Sequence, residues 1–590
     1  MTDGFLTQTF ARSFRCGDAM RAYEYFGAHR VGDKLVFRVW APHADWVSVC
    51  GDFTDWNTDQ LPMRALEGGI WELWLPADRV EVRARYKYFI RNGQQELYKA
   101  DPYALLCEDS PQMASVICDV DAYLWRDEGW LDYRRGQGCR TDAMQKPINV
   151  YELHAGSWRR HADKRPYSYR ELAADLVTYV KQMGYTHVQL MSVCEPECDR
   201  WESRAVGHYA TAARYGEPTD LMSLVDTMHE AGIGVILDWD PICFSRNAYG
   251  LYEFDGQPLY EVARNERADG ACPATCRFDT DKGEVQSFLL SNALFWIEKF
   301  HVDGLFVDSP SAAIGFFKSL DQRLLQTHPD VMMIAGERLS PDGAGGEIGF
   351  CMEWDRGWQS ESLALLSKEP LFGTRRIPTG GGASRTLLPL SHDLFDADRS
   401  SLLGSIPGDY SQRLATVRTF LTYMMTQPGK KLSFMGCEIG QRGAWDPAKE
   451  PEWQLLDCEM HAKLQLFVAA LNQLYLEQSP LWECDDESKG FEPIEADGGL
   501  LIYRRRNTDE EACTVVINLS AAEYGNHGLP VGEQGVYCEL INSDAAIYGG
   551  RDRVNREPLI AEPVGDGGAI LQLRIAPMSA TVLRRVDGIR

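Results

Sequence analysis

The stretch HVDGLFVDSP, residues 301–310, has the form of a buried β-strand that ends on a carboxylate. Val302, Leu305 and Val307 supply the apolar run, and Asp308 stands where the strand gives way to Ser309 and Pro310. Side chains two apart in a strand share a face, so Phe306 and Asp308 point the same way. If Asp308 is catalytic, its same-face neighbour is an aromatic ring where a cation would favour the ionised acid.

Working outward, apolar runs of this kind alternate with helical periodicity from about residue 146. INVYELHAG (148–156), HVQLMSV (187–193), GVILDWDP (234–241), VMMIAGE (331–337), LLPLSHD (387–393) and KLSFMGCEIG (431–440) have strand character. YRELAADLVTYVKQMG (169–184), LMSLVDTMHEAG (221–232) and VQSFLLSNALFWIEKF (285–300) have the three-to-four spacing of helices. Repeated strand–helix units predict a parallel barrel or a doubly wound sheet. Asp308, Glu337 and Asp393 fall at or just after three different strand ends, and in a barrel those ends converge on one face. Each acid alone could cap a helix or form a turn; three at equivalent positions point to a site. Residues 20–120 and those after about 480 carry short alternating runs such as KLVFRVWAP (34–42) and ACTVVINLS (512–520), which predict β-sandwiches on either side.

The bulk composition narrows the function. A chain of 590 residues is too long for one core. A formal charge of −26 argues against nucleic acid or an anionic membrane as partner. The N-terminus lacks the apolar centre of a signal peptide and no run approaches the roughly 18 residues of a membrane span, so a cytoplasmic protein is expected. Sixteen cysteines are scattered without a CxxC spacing; the pairs Cys194/Cys198 and Cys272/Cys276 are loose, so neither a metal site nor a disulfide framework is expected. Sixteen tryptophans suit a binder of neutral sugars, whose faces stack on flat rings, as well as large cores. Of Trp40, Trp56, Trp71 and Trp74, alternation sends some to the core, and Trp56 in the loop-like DFTDWN is the candidate for sugar contact.

The chain resembles the bacterial 1,4-α-glucan branching enzymes of the α-amylase clan. FGAHRVGDKLVFRVWAPHADWVSVCGDFTDWN (26–57) and YKADPYA (98–104) resemble that family's N-terminal glycogen-binding sandwich. VYELHAGSWRR (150–160), AGIGVILDWDP (231–241), LYEFDGQPLYE (251–261), SFLLSNALFWIEKFHVDGL (287–305) and MTQPGKKLSFMGCEIGQ (425–441) follow in the family's order, and INSDAAIYGG (541–550) resembles its C-terminal sandwich. The resemblance implies a (β/α)8 TIM barrel flanked by an N-terminal and a C-terminal β-sandwich domain. The divisions would be a lead (1–20), a sandwich (21–125), the barrel (126–480) and a second sandwich (481–590). It implies cleavage of an α-1,4-glucan and transfer to a 6-hydroxyl, with no cofactor or metal. Such retaining chemistry needs two carboxyl groups about 5–5.5 Å apart. By resemblance Asp308 is the nucleophile, Glu337 the acid/base and Asp393 the transition-state stabiliser, while Asp238 and His392 hold the sugar. Glycogen is the implied ligand, and an active branching enzyme or another glycogen-metabolism protein the implied partner.

Several positions depart from the family. Its arginine two residues before the nucleophile is Phe306, its histidine in DWxPxHF is Cys243, its stacking tyrosine is Ser203, and the glutamate after SHD is Leu394. A thiol is a poor replacement for imidazole on a sugar hydroxyl. An ungapped alignment sets Gly336 under the acid/base; a one-residue bulge would restore Glu337. The Gly/Asn-rich segment between nucleophile and acid/base is missing. These changes predict impaired or lost transfer with glucan binding retained, since one transition-state donor is worth about 10²–10³ in rate. The alternatives are an active divergent branching enzyme and an α-glucan hydrolase rebuilt around Cys243, Asp240 and Arg204.

Overall fold

In the computed structural model, eight parallel strands close into a barrel. The described residues are 3–109, 112–198, 204–263, 275–339, 348–366, 385–395, 400–485, 490–497, 499–564 and 568–586. The barrel strands are β1 (Asn149–Leu153), β2 (His187–Leu190), β3 (Gly234–Asp238), β4 (Gly304–Val307), β5 (Met332–Ala335), β6 (Met352–Trp354), β7 (Thr386–Leu390) and β8 (Lys430–Phe434). Each pairs with its sequence neighbours, and β8 closes on β1. Almost every residue in them is buried, as expected of parallel strands covered on both faces.

Alternation sorts these strands into two layers. Val150, Ile236, Phe306, Ile334, Trp354, Leu387 and Leu432 form one apolar cluster that fills the barrel. Leu153, Val235, Leu305, Val307, Met333 and Ala335 belong to the larger cluster between strands and helices. The helices have local reasons to start where they do. Ser168 caps Tyr169–Gln182 by accepting from the Glu171 amide at 3.3 Å, while the Glu171 carboxylate accepts from the Ser168 amide at 2.8 Å. Asp409 does the same for Tyr410–Thr426.

On the N-terminal side a helix, Asp3–Arg15, precedes two antiparallel sheets that face one another. Phe14 and Trp40 pack edge to face across this junction, centroids 5.4 Å apart. The sandwich is tied to the barrel by Lys99, whose ammonium donates to the Ala248 and Tyr252 carbonyls at 2.7 Å, and by Asp255, which accepts from the His43 amide at 2.9 Å. Beyond the barrel, residues 491–586 form one continuous eight-stranded antiparallel sheet. It folds over so that Leu500 and Val516 share a core with Leu571 and Leu573.

Candidate active site

The C-terminal ends of the barrel strands open on a cleft of about 1470 Å³. Asp238, Phe306, Asp308, Trp354, Arg356, His392 and Asp393 all line it, with Cys243, Asp240 and Arg204 on one wall. The structure thus brings together Asp308, Asp393, Asp238 and His392 as expected. Glu337 is not among the described residues that line the cleft. Ser203 lies outside the described residues.

The layering of the strands explains the difference. Ile236, Phe306 and Ile334 face the barrel interior. Two residues on, Asp238 and Asp308 line the cleft, while β5 ends at Ala335 and Gly336 and Glu337 lie in a bend beyond it. The register between β4 and β5 runs Gly304–Met332, Leu305–Met333, Phe306–Ile334 and Val307–Ala335 without a break, and the Gly336 amide continues it by donating to the Val307 carbonyl at 2.7 Å. The ladder carries no bulge as far as the Gly336 amide. The Glu337 carboxylate instead accepts from the Ser311 amide at 2.9 Å, in the short helical turn after Asp308.

Gly336 is held to glycine by contact. A β-carbon there would stand 2.6 Å from the Asp308 carbonyl oxygen, 2.8 Å from its α-carbon and 2.9 Å from the Phe306 ring. Overpacking of this kind costs about 1–3 kcal/mol. Gly336→Ala should lower the unfolding temperature accordingly, and an unchanged melt would show that β4 and β5 separate freely.

Asp308 does not lack a cation. Arg356, just past β6, donates from Nη2 to Asp308 Oδ1 and from Nε to the Gly336 carbonyl at 2.5 Å; its Nη1 is 3.4 Å from Asp393 Oδ2. Beneath it Phe306 stacks on Trp354, with centroids 4.3 Å apart and planes inclined by 29°. The expectation that Phe306 leaves the acid unsupported is corrected by an arginine from two strands away.

The other side of the cleft is a second charged unit. Glu152, buried at the end of β1, accepts from the His392 amide at 3.0 Å and pairs with His392 Nδ1 at 2.7 Å. Burial alone would lower the imidazole, but Glu152 and the nearby Asp393 lift it to about 9, so the ring is a cation at neutral pH. Burial pushes the Asp238 carboxyl up to about 7 against the pull of His392. Cys243 is a neutral thiol, pushed up to about 11 by burial. Asp240 accepts from Arg204 Nη1 at 2.5 Å and from the Ile242 and Cys243 amides at 3.0 and 3.1 Å, which fixes that wall.

Residues 25–104 match carbohydrate-binding module 48 (isoamylase N-terminal domain), and residues 494–586 match the C-terminal all-β domain of α-amylases. Across the chain, 1,4-alpha-glucan branching enzyme GlgB of Bacillus cereus (strain AH820) is 37% identical over 606 residues, covering 96% of this chain and 93% of that protein. The Bacillus mycoides (strain KBAB4) branching enzyme is 36% identical with the same coverage. The chain belongs to the 1,4-α-glucan branching enzyme family. Among solved structures, pullulanase type I from Bacillus subtilis str. 168 complexed with maltose superposes with a TM-score of 0.75 at 15% identity, covering 97% of this chain and 88% of that one. A putative α-amylase from Salmonella typhimurium gives 0.69 at 18%, covering 95% and 99%. These two share the fold.

For a branching-enzyme family member the positions of Asp308, Asp393, His392 and Asp238 were legible at the strand ends. Sequence reasoning missed Arg356 and Glu152, the cation on Asp308 and the anion on His392. In the N-terminal sandwich Trp56 is exposed at a positive φ of 60°, its indole donating to Asp52 Oδ1 at 3.3 Å. Trp74 is equally exposed under Arg38, whereas Trp40 is buried. Among the described residues no helix is long and apolar enough to cross a membrane, and no cluster of three or more His, Cys, Asp or Glu could hold a metal ion.

Proposed function

We propose that this protein binds cytoplasmic α-1,4-glucan or glycogen in the barrel cleft, and that its capacity to build α-1,6 branches is impaired or lost. The reading rests on Gly336. A retaining transfer needs a second carboxyl group about 5–5.5 Å from the nucleophile, to protonate the departing sugar oxygen and later deprotonate the acceptor hydroxyl. Gly336, packed against the Asp308 backbone where the β4–β5 ladder ends, carries no side chain, and the Glu337 carboxylate is engaged by the Ser311 amide at 2.9 Å. Asp308 as nucleophile, Asp393 as stabiliser, and Asp238 and His392 as sugar ligands remain available for binding. Exposed Trp56 is proposed as a further contact for the polymer. With binding intact and transfer weak, an active branching enzyme is the partner such a protein would serve.

The test is branch formation on amylose, scored by debranching the product and counting released chains, beside Asp308→Asn. The expected result is no branches above the control, with amylose still retarding the protein in affinity gels. Branches that vanish in Asp308→Asn would favour the second reading, an active divergent branching enzyme, for which the Arg356–Asp308 contact is the supporting observation. Glu337 would then be the acid/base, brought in by a shift of its strand end.

A further inference from the structure

Neutral sugars call for flat rings and hydrogen bonds, yet one loop of the cleft carries three cations without ion-pair partners. Arg160, Lys164 and Arg165 all line the cleft, and among the described residues none of them joins an ion pair. By contrast, Arg204 is paired with Asp240 and Arg356 with Asp308. The loop itself is fixed. Arg160 and Pro166 bridge its ends, the Lys164 amide donates to the His161 carbonyl at 2.8 Å, and Lys164 takes a left-handed φ of 69°. The Arg160 guanidinium braces it, donating from Nη1 to the Lys164 carbonyl at 2.6 Å and from Nη2 to the Pro447 carbonyl at 3.3 Å. The acids nearby are engaged elsewhere. Glu450 and Asp163 accept from the Arg160 and Arg165 amides at 3.2 and 3.0 Å, and Asp446 pairs with Lys449 at 2.8 Å. The side chains of Lys164 and Arg165 are left exposed. Their surroundings are positive: His154 in the same cleft is pushed down to about 3 by burial and by Arg214, Arg160 and His392, so it stays neutral. Charges are screened over about 10 Å at 0.1 M salt, so this loop meets a ligand as a cation despite the chain's formal −26.

We propose that this loop binds a phosphate monoester carried on the α-glucan chain, Lys164 and Arg165 taking the phosphate oxygens while the sugar rings lie in the cleft. The inference rests on the reading of the cleft as a glucan site and names its substrate class. A phosphate presents several strongly accepting oxygens at once. The Arg165 guanidinium answers them as a planar fork and the Lys164 ammonium as a mobile point charge. Arg160, already bound to two carbonyls, is the positioning residue: it sets the loop and adds its charge. A neutral sugar hydroxyl answers only one such donor, so an unsubstituted chain gains less from the loop.

The experiment titrates the full-length protein calorimetrically with length-matched maltodextrins, one carrying phosphate monoesters and one without, beside glucose 6-phosphate and inorganic phosphate. The phosphorylated chain is expected to bind roughly tenfold tighter at low salt, the scale of one charge-assisted hydrogen bond. The preference should shrink as salt is raised, because exposed charges are screened. The double variant Lys164→Gln/Arg165→Gln should bring the two affinities together, whereas Lys164→Arg should keep them apart. Equal affinities on the wild type, or a preference that survives in the double variant or at high salt, overturn the proposal. Glucose 6-phosphate or inorganic phosphate binding as tightly as the phosphorylated chain overturns its claim that the phosphate is read on a polymer. The two readings fail differently: equal, measurable affinities sink the phosphate site and leave the glucan cleft standing, while failure to bind either chain sinks both.

Discussion

Replacing His229 by alanine is expected to destabilise the barrel by about 3–5 kcal/mol at pH 7, the usual cost of opening a buried ion pair from one side. His229, in the helix Pro218–Glu230, lies between two acids at the N-terminal end of the barrel: Nδ1 is 2.8 Å from Asp127 and Nε2 is 2.9 Å from Asp303. Asp303, just before β4, also accepts from Arg134 at 2.8 Å, from Trp130 at 2.8 Å and from the Val235 amide at 2.6 Å. Burial opposes the charge on His229, but Asp303 and Asp127 lift it to about 9. Its folded value lies above the ordinary imidazole value of 6.5, so its stabilisation is complete below about pH 6.5 and is lost as pH rises through 9. Urea denaturation should show wild type losing stability between pH 7 and 9.5 and the alanine variant losing less across that window. A destabilisation under about 1 kcal/mol at pH 7, or equal slopes, would mean that Arg134 and His301 satisfy the two acids without it. The glucan binding proposed for the opposite end should be untouched, because stability and chemistry fall to opposite ends of such barrels.

Much of this was open to reading from local sequence, and the remainder was closed for identifiable reasons. Asp308, Asp393 and Asp238 end apolar runs, and a strand's end is a local property that a parallel barrel turns into proximity. Which of Gly336 and Glu337 faces the cleft is not local. It depends on the phase of β5 against β4, and a shift of one residue exchanges the faces of a strand. The pairing from Gly304–Met332 to Val307–Ala335 fixes that phase as far as the strand's end, and beyond it the Ser311 amide takes up the Glu337 carboxylate. Arg356 was hidden by distance, 48 residues beyond Asp308 and two strands around the barrel. Nothing in EWDRGW marks that arginine as a site residue until the strands are in order. Glu152 was hidden for the same reason: its partner His392 is 240 residues away. The folded-over C-terminal sheet and the His229 network likewise depend on long-range pairing.

Returning an arginine to position 306 should harm the protein without rebuilding the branching reaction. Phe306 is 2% exposed, stacked on Trp354 and enclosed by Ile236, Ile334 and Leu387. Phe306→Arg sets a guanidinium in that apolar layer, beside an acid that Arg356 already engages, and an uncompensated buried charge costs about 3–5 kcal/mol. The lost ring stack adds about 0.5–1.5 kcal/mol. Combined with Arg356→Met, the new guanidinium can take Asp308 for itself, so the double variant should be less destabilised than the two single losses summed. A coupling of about 1–3 kcal/mol is expected, measured by a double-mutant cycle on urea unfolding. Additivity within about 0.5 kcal/mol would show that positions 306 and 356 do not exchange roles. Neither variant should branch amylose. On the reading proposed for the cleft the missing group is a proton donor, and a cation delivered from either strand can orient Asp308 but cannot supply that proton.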